Sequence, residues 1–314
     1  MASVKSDEML EQSQLIYIAG ASHSGSTLLD LLLGNHSAIS GMGEIHRLSL
    51  QPETRLCSCG ETINNCPYWN KIAHLTAIEF GLPIIKWEEF CVTHIVGTKY
   101  LRKFPTALDL GLIAGQMSLL KIGSFLSSDI KKYINMAANS WLLFDVIAKV
   151  QKASYVVDST KSAGRMKVLY LTRPKNTRII YLVRDGRAVT ASAIRRGQQM
   201  SQAAKLWQRV NKNLLLMMRT IPQESILTVF YENICRNPER EMRKISAFLN
   251  APYESIMTKL NISKTHNIPG NPMLFEREQE IQIDERWKSQ LTSFELKIFD
   301  DIAGNLNRHF GYEN

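Results

Sequence analysis

The stretch that most restricts what this chain can become runs from Leu15 to Asn35. An apolar pentapeptide, Leu15-Ile-Tyr-Ile-Ala19, leads into Gly20-Ala-Ser-His-Ser-Gly25-Ser26-Thr27 and then into the leucine-rich TLLDLLLGN from Thr27 to Asn35. A short apolar run bounded by turn residues reads as a buried strand, and the longer leucine pattern reads as a helix. The glycine-containing segment between them is then a tight strand-to-helix turn. At such a turn the first N–H groups of the helix lack intrahelical acceptors and converge with partial positive charge, which suits a phosphate or a sulfate.

The spacing of this turn matches the Walker pattern G-x-x-x-x-G-K-[ST], except that Ser26 stands where a lysine would reach the β- and γ-phosphates of a nucleotide. The replacement weakens a nucleotide-kinase or NTPase reading. Val156-Val157-Asp158 keeps that reading open as an alternative, because it resembles a Walker B strand end.

Three more apolar runs, 154–157, 178–183 and 225–230, read as strands. Helical patterns follow them over Ser162–Leu171, Gly186–Arg196 and, with Asn237 as cap and Pro238 in the first turn, up to about Asn250. Strand alternating with helix predicts an α/β fold, a P-loop-type, mostly parallel sheet flanked by helices. Residues 70–150 are helical in pattern and are expected as a helical insertion within a single domain spanning 1–314, contributing to an acceptor pocket. Residues 263–290 are polar and weakly periodic, a loop of a length that is usually functional. Thr292 and Glu295 have capping-box spacing and start the last helix.

With 45% hydrophobic residues, a chain of 314 residues can bury a sizeable core. Residues 1–14 are polar, and no apolar run is long enough for a secretory signal or a membrane span. A cytoplasmic protein is therefore expected. The formal net charge of +9 suits an anionic ligand, but the basic residues form no long run and no nucleic-acid motif, so no nucleic-acid partner is expected.

A second constellation lies downstream, in Ile179-Ile-Tyr-Leu-Val-Arg184-Asp185-Gly186 and Ser192. The strand delivers Arg184 at its carboxyl end, where open α/β sheets bind ligands. An Arg fork and the Ser192 hydroxyl on the next helix can hold a phosphate between them. Taken with the loop, this pair resembles the PAPS-dependent sulfotransferase family (PAPS is 3'-phosphoadenosine-5'-phosphosulfate). Ser24-Gly-Ser-Thr-Leu-Leu, Asn35-His36 and Gly43-Glu44 are similar to its tyrosylprotein and bacterial branches. Val229-Phe-Tyr231-Glu-Asn, with Pro238 and Phe248-Leu249 after it, resembles the family's Y-E-[DN] stretch.

The resemblance implies a sulfotransferase that moves a sulfuryl group from PAPS to a hydroxyl or amine, leaving PAP, with no metal required. It implies that His23, Ser24, Gly25, Ser26, Thr27 and Leu28 hold the 5'-phosphosulfate. Arg184 and Ser192 would hold the 3'-phosphate, Tyr231 would lie near the adenine, and Gly270 and Asn271 would belong to a loop closing over the nucleotide. His23 stands where the family usually has Lys or Arg, so support for the leaving group would come from an imidazole. By the same resemblance Lys161 contacts the sulfuryl oxygens and Glu44 is the base, its pKa expected to be raised by burial. Asp158 and His46 are second choices for the base. The acceptor is expected to be a small metabolite of the natural-product kind.

Cys57-x-Cys59-Gly-(x)5-Cys66 is the one metal-like pattern. Its spacing is not the usual paired one, and a small loop with free thiols is the first expectation. Zinc with His46, His74 or Cys91 as fourth ligand is the second.

Overall fold

The computed structural model describes residues 12–81, 84–90, 112, 114–126, 128–260, 265–270 and 280–313. Among them, five strands form one sheet: β1 (Gln14–Gly20), β2 (Ile39–Gly41), β3 (Tyr155–Lys161), β4 (Thr177–Val183) and β5 (Ile226–Phe230). The order is β2-β3-β1-β4-β5, and every neighbouring pair is parallel. The first strand thus sits at the centre, flanked by the two strands that carry Lys161 and lead into Arg184. Of the five, only β2 has no sequence signal, because three residues are too few to show a period.

Alternation along β1 explains the layers. Leu15, Tyr17 and Ala19 point to one face, and Ile16 and Ile18 to the other. A parallel strand covered on both sides is apolar at every position, and LIYIA is. The first face packs on α4 (Ser128–Gln151), α5 (Ala163–Thr172) and α7 (Met200–Met218), through Phe144, Ile147, Leu169 and Leu214. The second packs on α1 (Ser26–Gly34) and α9 (Pro238–Leu249), through Leu29, Leu32, Leu33, Met242 and Ile245. Each such apolar side chain contributes about 1.5–3 kcal/mol by leaving water.

The expected helical insertion holds α2 (Pro67–Glu79), α3 (Met117–Leu126) and α4. Pro67 opens α2 at a position where a missing N–H costs nothing. A third cluster joins α6 (Gly186–Ile194) and α7 to the C-terminal helices, through Val189, Ala204, Trp207 and Phe299. The helix from Ser293 carries the capping box read from Thr292 and Glu295.

The polar stretch that read as a loop is tied to the sheet edge at its start. Ile268 pairs with Gly43, and Glu44 N donates to Ile268 O at 3.0 Å while Ile268 N donates to Met42 O at 2.9 Å. Buried Asp30 of α1 accepts from Gly43 N at 3.1 Å and from Asn267 Nδ2 at 2.7 Å, so one carboxyl holds both strands of this junction. Burial lifts its pKa to about 7. No helix among the described residues is long and apolar enough to cross a membrane.

Candidate active site

The carboxyl ends of β1, β3 and β4 open onto a cavity of about 950 Å³, at the upper end of what small-molecule sites enclose. The loop from Gly20 to Thr27 forms its floor. Gly25 takes a left-handed conformation, φ 89°, and a Cβ there would sit 2.4 Å from the Tyr231 ring, so only glycine lets the loop pass under the tyrosine. The first turn of α1 contains no acidic residue, which leaves the positive end of the helix unneutralised.

His23, Gly25, Ser26, Thr27 and Leu28 all line the cavity, whereas Ser24 is buried behind it. Glu44, Lys161, Arg184, Ser192, Tyr231 and Gly270 line it too. Asn271 lies outside the described residues.

On the β3 side, Lys161 adopts φ 70° and turns its ammonium back over the loop. Its Nζ donates to Glu44 Oε1 at 2.5 Å, to Ser159 O at 3.0 Å and to Ser26 Oγ at 3.1 Å. Glu44 is also bonded by Arg47 Nε at 2.5 Å. Burial pushes the Glu44 carboxyl up, but Lys161 and Arg47 pull it down by more, so it sits below the ordinary glutamate value. This corrects the expectation of a raised pKa: two cations sit where the sequence suggested only burial. Gly270 packs directly on this carboxylate, and a Cβ there would lie 1.9 Å from Oε1.

On the β4 side, the Arg184 guanidinium stacks over the Tyr231 ring at 4.2 Å and donates to His23 O at 2.8 Å and Asp284 O at 3.0 Å. Its Nε is buried without a partner. A buried unpaired donor of a charged group is costly, so this atom is set to receive an acceptor. Ser192 faces the same space from α6.

His23 adopts φ 66°, and its pKa falls to about 4, first through burial and then through Arg196, Arg184, Lys161 and Arg195. The imidazole reports the positive field that an anion would meet here. His46 also lines the cavity and accepts or donates at Thr160 Oγ1, 3.2 Å away; burial lowers it to about 4. Asp158 is different. It is fully buried, bonded to Thr160 and paired with Arg165 at 2.8 Å, and it does not line the cavity. It braces the strand end and is no base.

Sequence reasoning missed Arg47, Arg195, Arg196 and Asp284. Asp284 gathers Arg184, Arg195 and Arg286 at 3.4, 3.2 and 2.7 Å. Its bond to Arg286 leads the effects that hold its carboxyl far below the usual range. Arg195 and Arg196 could have been found as the residues three and four beyond Ser192 in the helical pattern read over Gly186–Arg196; in the structure they follow the end of α6 at Ile194. Asp284 and Arg47 carry no signal outside the folded chain.

A model of the sulfotransferase family matches residues 126–255, the segment that carries Lys161, Arg184, Ser192 and Tyr231. The protein-tyrosine sulfotransferase of Drosophila melanogaster is 27% identical over 147 residues, 42% of this chain and 30% of that protein. Protein-tyrosine sulfotransferase A of Caenorhabditis elegans is 23% identical over 267 residues, 81% of this chain and 54% of that protein. The chain thus spans about half the length, or less, of these curated relatives. The sulfotransferase domain from the Synechococcus PCC 7002 olefin synthase superposes with a TM-score of 0.55 at 19% identity, covering 97% of both chains. The sulfotransferase domain from the Curacin biosynthetic pathway gives 0.51 at 20% identity, covering 96% of this chain and 98% of that one. The fold is that of sulfotransferase domains, and the family recognised from the loop and the Arg184–Ser192 pair is the one these comparisons return.

Proposed function

We propose that this sulfotransferase takes the sulfuryl group of PAPS and places it on a hydroxyl, or an amine, of its acceptor. The observation that carries the reading is the chain of contacts Glu44–Lys161–Ser26 at one end of the anion loop, with the unpartnered Nε of Arg184 at the other. A nucleotide with an anionic 5' end and a 3'-phosphate fits such a pair of ends. When bound, PAPS supplies the activated sulfuryl group; everything else is done by side chains.

The loop amides and Ser26 would hold the 5' anion, and Arg184 with Ser192 the 3'-phosphate. Ser24 sits behind the loop and would support its shape. Tyr231, with Arg184 on one side of it, would define the edge of the base site. His23 is neutral at pH 7 without ligand. A neutral imidazole can donate one hydrogen bond, and added negative charge nearby would favour its protonation. Gly270 and Asn271 would belong to the wall over the nucleotide.

Lys161 sits between the base and the loop. As its ammonium turns toward an anion on the loop, its hold on Glu44 weakens. The carboxylate pKa then rises toward the value burial favours, and Glu44 becomes able to take the acceptor's proton. His46 is the alternative base. No step in this scheme calls for a metal.

The acceptor proposed is a small hydroxylated molecule, seated between the β2 edge and the helical insertion of a single-domain, cytoplasmic enzyme. The two structural neighbours named for an olefin synthase and for Curacin biosynthesis support it. A tyrosyl hydroxyl is the second reading, and the names of the two curated relatives support that one.

Thermal shift with PAP, with ATP–Mg²⁺ and with AMP tests the donor. A ligand at 100 times its Kd stabilises the fold by about 2.7 kcal/mol. PAP should do so and ATP–Mg²⁺ should not; the reverse result would favour the nucleotide-kinase alternative. Transfer from PAPS to panels of phenols, alcohols and tyrosyl peptides then separates the acceptors.

A further inference from the structure

Outside the cavity, the three thiols of the Cys57–Cys66 turn meet a histidine that lies some two hundred residues away in sequence. Cys57 Sγ is 3.7 Å and Cys66 Sγ 3.3 Å from His266 Nδ1, and Cys59 Sγ is 3.6 Å from Cys66 Sγ. All four candidate ligand atoms lie within 4.8 Å of one another. These thiols are free rather than joined as disulfides. The fourth group is none of those the sequence suggested. His46 is bonded to Thr160 in the cavity, His74 is exposed and Cys91 lies outside the described residues.

Three of the six pairwise distances correspond to a particular polyhedron, and the other three lie within 4.8 Å. Zinc binds thiolate at about 2.3 Å and imidazole at about 2.0–2.1 Å, so a tetrahedral site has S–S edges of roughly 3.8 Å and S–N edges of roughly 3.5 Å. The three observed edges fall within a few tenths of an ångström of those values.

The histidine is also held as a ligand would be. Its ring stacks on Tyr68 with the centroids 4.7 Å apart and the planes nearly parallel, and its carbonyl accepts from Trp69 Nε1 at 3.1 Å. Its neighbours are bonded to the thiol turn: Ser58 N donates to Asn267 O at 3.1 Å and Asn267 N donates to Ser58 Oγ at 3.0 Å. Such outer contacts fix the orientation of ligating rings.

We propose that Cys57, Cys59, Cys66 and His266 form a structural zinc site. The four protein ligands fill a tetrahedron, leaving no position for water or substrate, which is the mark of a structural rather than a catalytic site. The three thiols give up their protons on binding, and the occupied site carries a net charge of −1. The site is a clip. It fastens the 57–66 turn to the segment whose Ile268 pairs with Gly43 and whose Gly270 packs on Glu44. Cys57 and Cys66 are buried and Cys59 is exposed, so a chelator would enter from the Cys59 side.

The test uses the purified full chain, reduced, and measures metal by mass spectrometry together with the melting temperature. About one zinc per chain is expected. Chelation should lower the melting temperature, and zinc but not magnesium should restore it. Cobalt added to the stripped protein should give the intense visible bands of tetrahedral Co(II) and a thiolate-to-cobalt charge-transfer band. Cys59→Ser, at the exposed ligand, should weaken zinc retention against a competing chelator at least tenfold. Should that variant fail to fold, the cobalt spectrum of the unaltered chain decides. A zinc-free protein from zinc-replete cells that also gives no tetrahedral cobalt spectrum would overturn the proposal. So would a Cys59–Cys66 disulfide in the freshly isolated, active enzyme.

Discussion

Replacing Arg184 by lysine keeps the charge at the end of β4 and removes the fork. In the structure each Nη already donates to a backbone carbonyl, His23 O at 2.8 Å and Asp284 O at 3.0 Å, and Nε is left without an acceptor. A 3'-phosphate met at Nε gains one charge-assisted hydrogen bond from this side chain. Such a bond contributes about 1.5–3 kcal/mol, which converts to a loss of roughly 10- to 150-fold in PAP affinity when it is removed. The substitution also strips donors from two half-buried carbonyls and loosens the stack on Tyr231, so some general weakening is expected. AMP separates the two effects, because it differs from PAP only by the 3'-phosphate. Isothermal titration of both ligands into both proteins gives the answer as a double difference. PAP should lose about 10- to 150-fold more than AMP does. Equal losses would refute the assignment of Arg184 to the 3'-phosphate, whatever their size.

Glu44→Gln keeps the shape and removes the proposed base; PAP affinity should hold while kcat falls about 10²- to 10⁴-fold, measured with saturating donor. Near-normal turnover would move the base to His46. Gly270→Ala forces a methyl group into the Glu44 carboxylate and should cost about 1–3 kcal/mol of stability by overpacking, with kcat reduced more than PAP affinity. His23 has a folded pKa of about 4 against an ordinary 6.5, so between those values the free protein keeps it unprotonated. An anion on the loop raises that pKa, and PAP binding should therefore take up protons between about pH 4 and 6.5. Titrations near pH 5.5 in buffers of different ionisation enthalpy measure this, and proton release on binding would contradict it.

The four longer strands and the loop between β1 and α1 were legible because their signals are local. An apolar run and a glycine-bearing turn show themselves within a dozen residues. Glu44 and Lys161 were readable only through family resemblance, yet both reach the cavity. What could not be read is what the fold assembles across distance. Glu44 is held by Lys161, 117 residues on, and this contact reverses the direction of its pKa. Asp284 organises three arginines from an otherwise featureless polar stretch. His266 looked like any lone histidine until the 265–270 segment was seen lying against the cysteine turn. The edge strand β2 escaped because three residues carry no periodicity.

The order β2-β3-β1-β4-β5 also has a consequence for redesign. With β1 central, Arg184, Ser192 and Tyr231, proposed for the 3'-phosphate and the adenine, arrive from β4 and later, while Glu44, His46 and Lys161 arrive from the β2 and β3 side. In the proposed scheme the grip on the 3'-phosphate and the removal of the acceptor's proton thus come from opposite flanks of one strand, with Lys161 serving both ends of the transfer. On that scheme, substitutions confined to the helical insertion should change which acceptor is modified while the proposed donor stays the same.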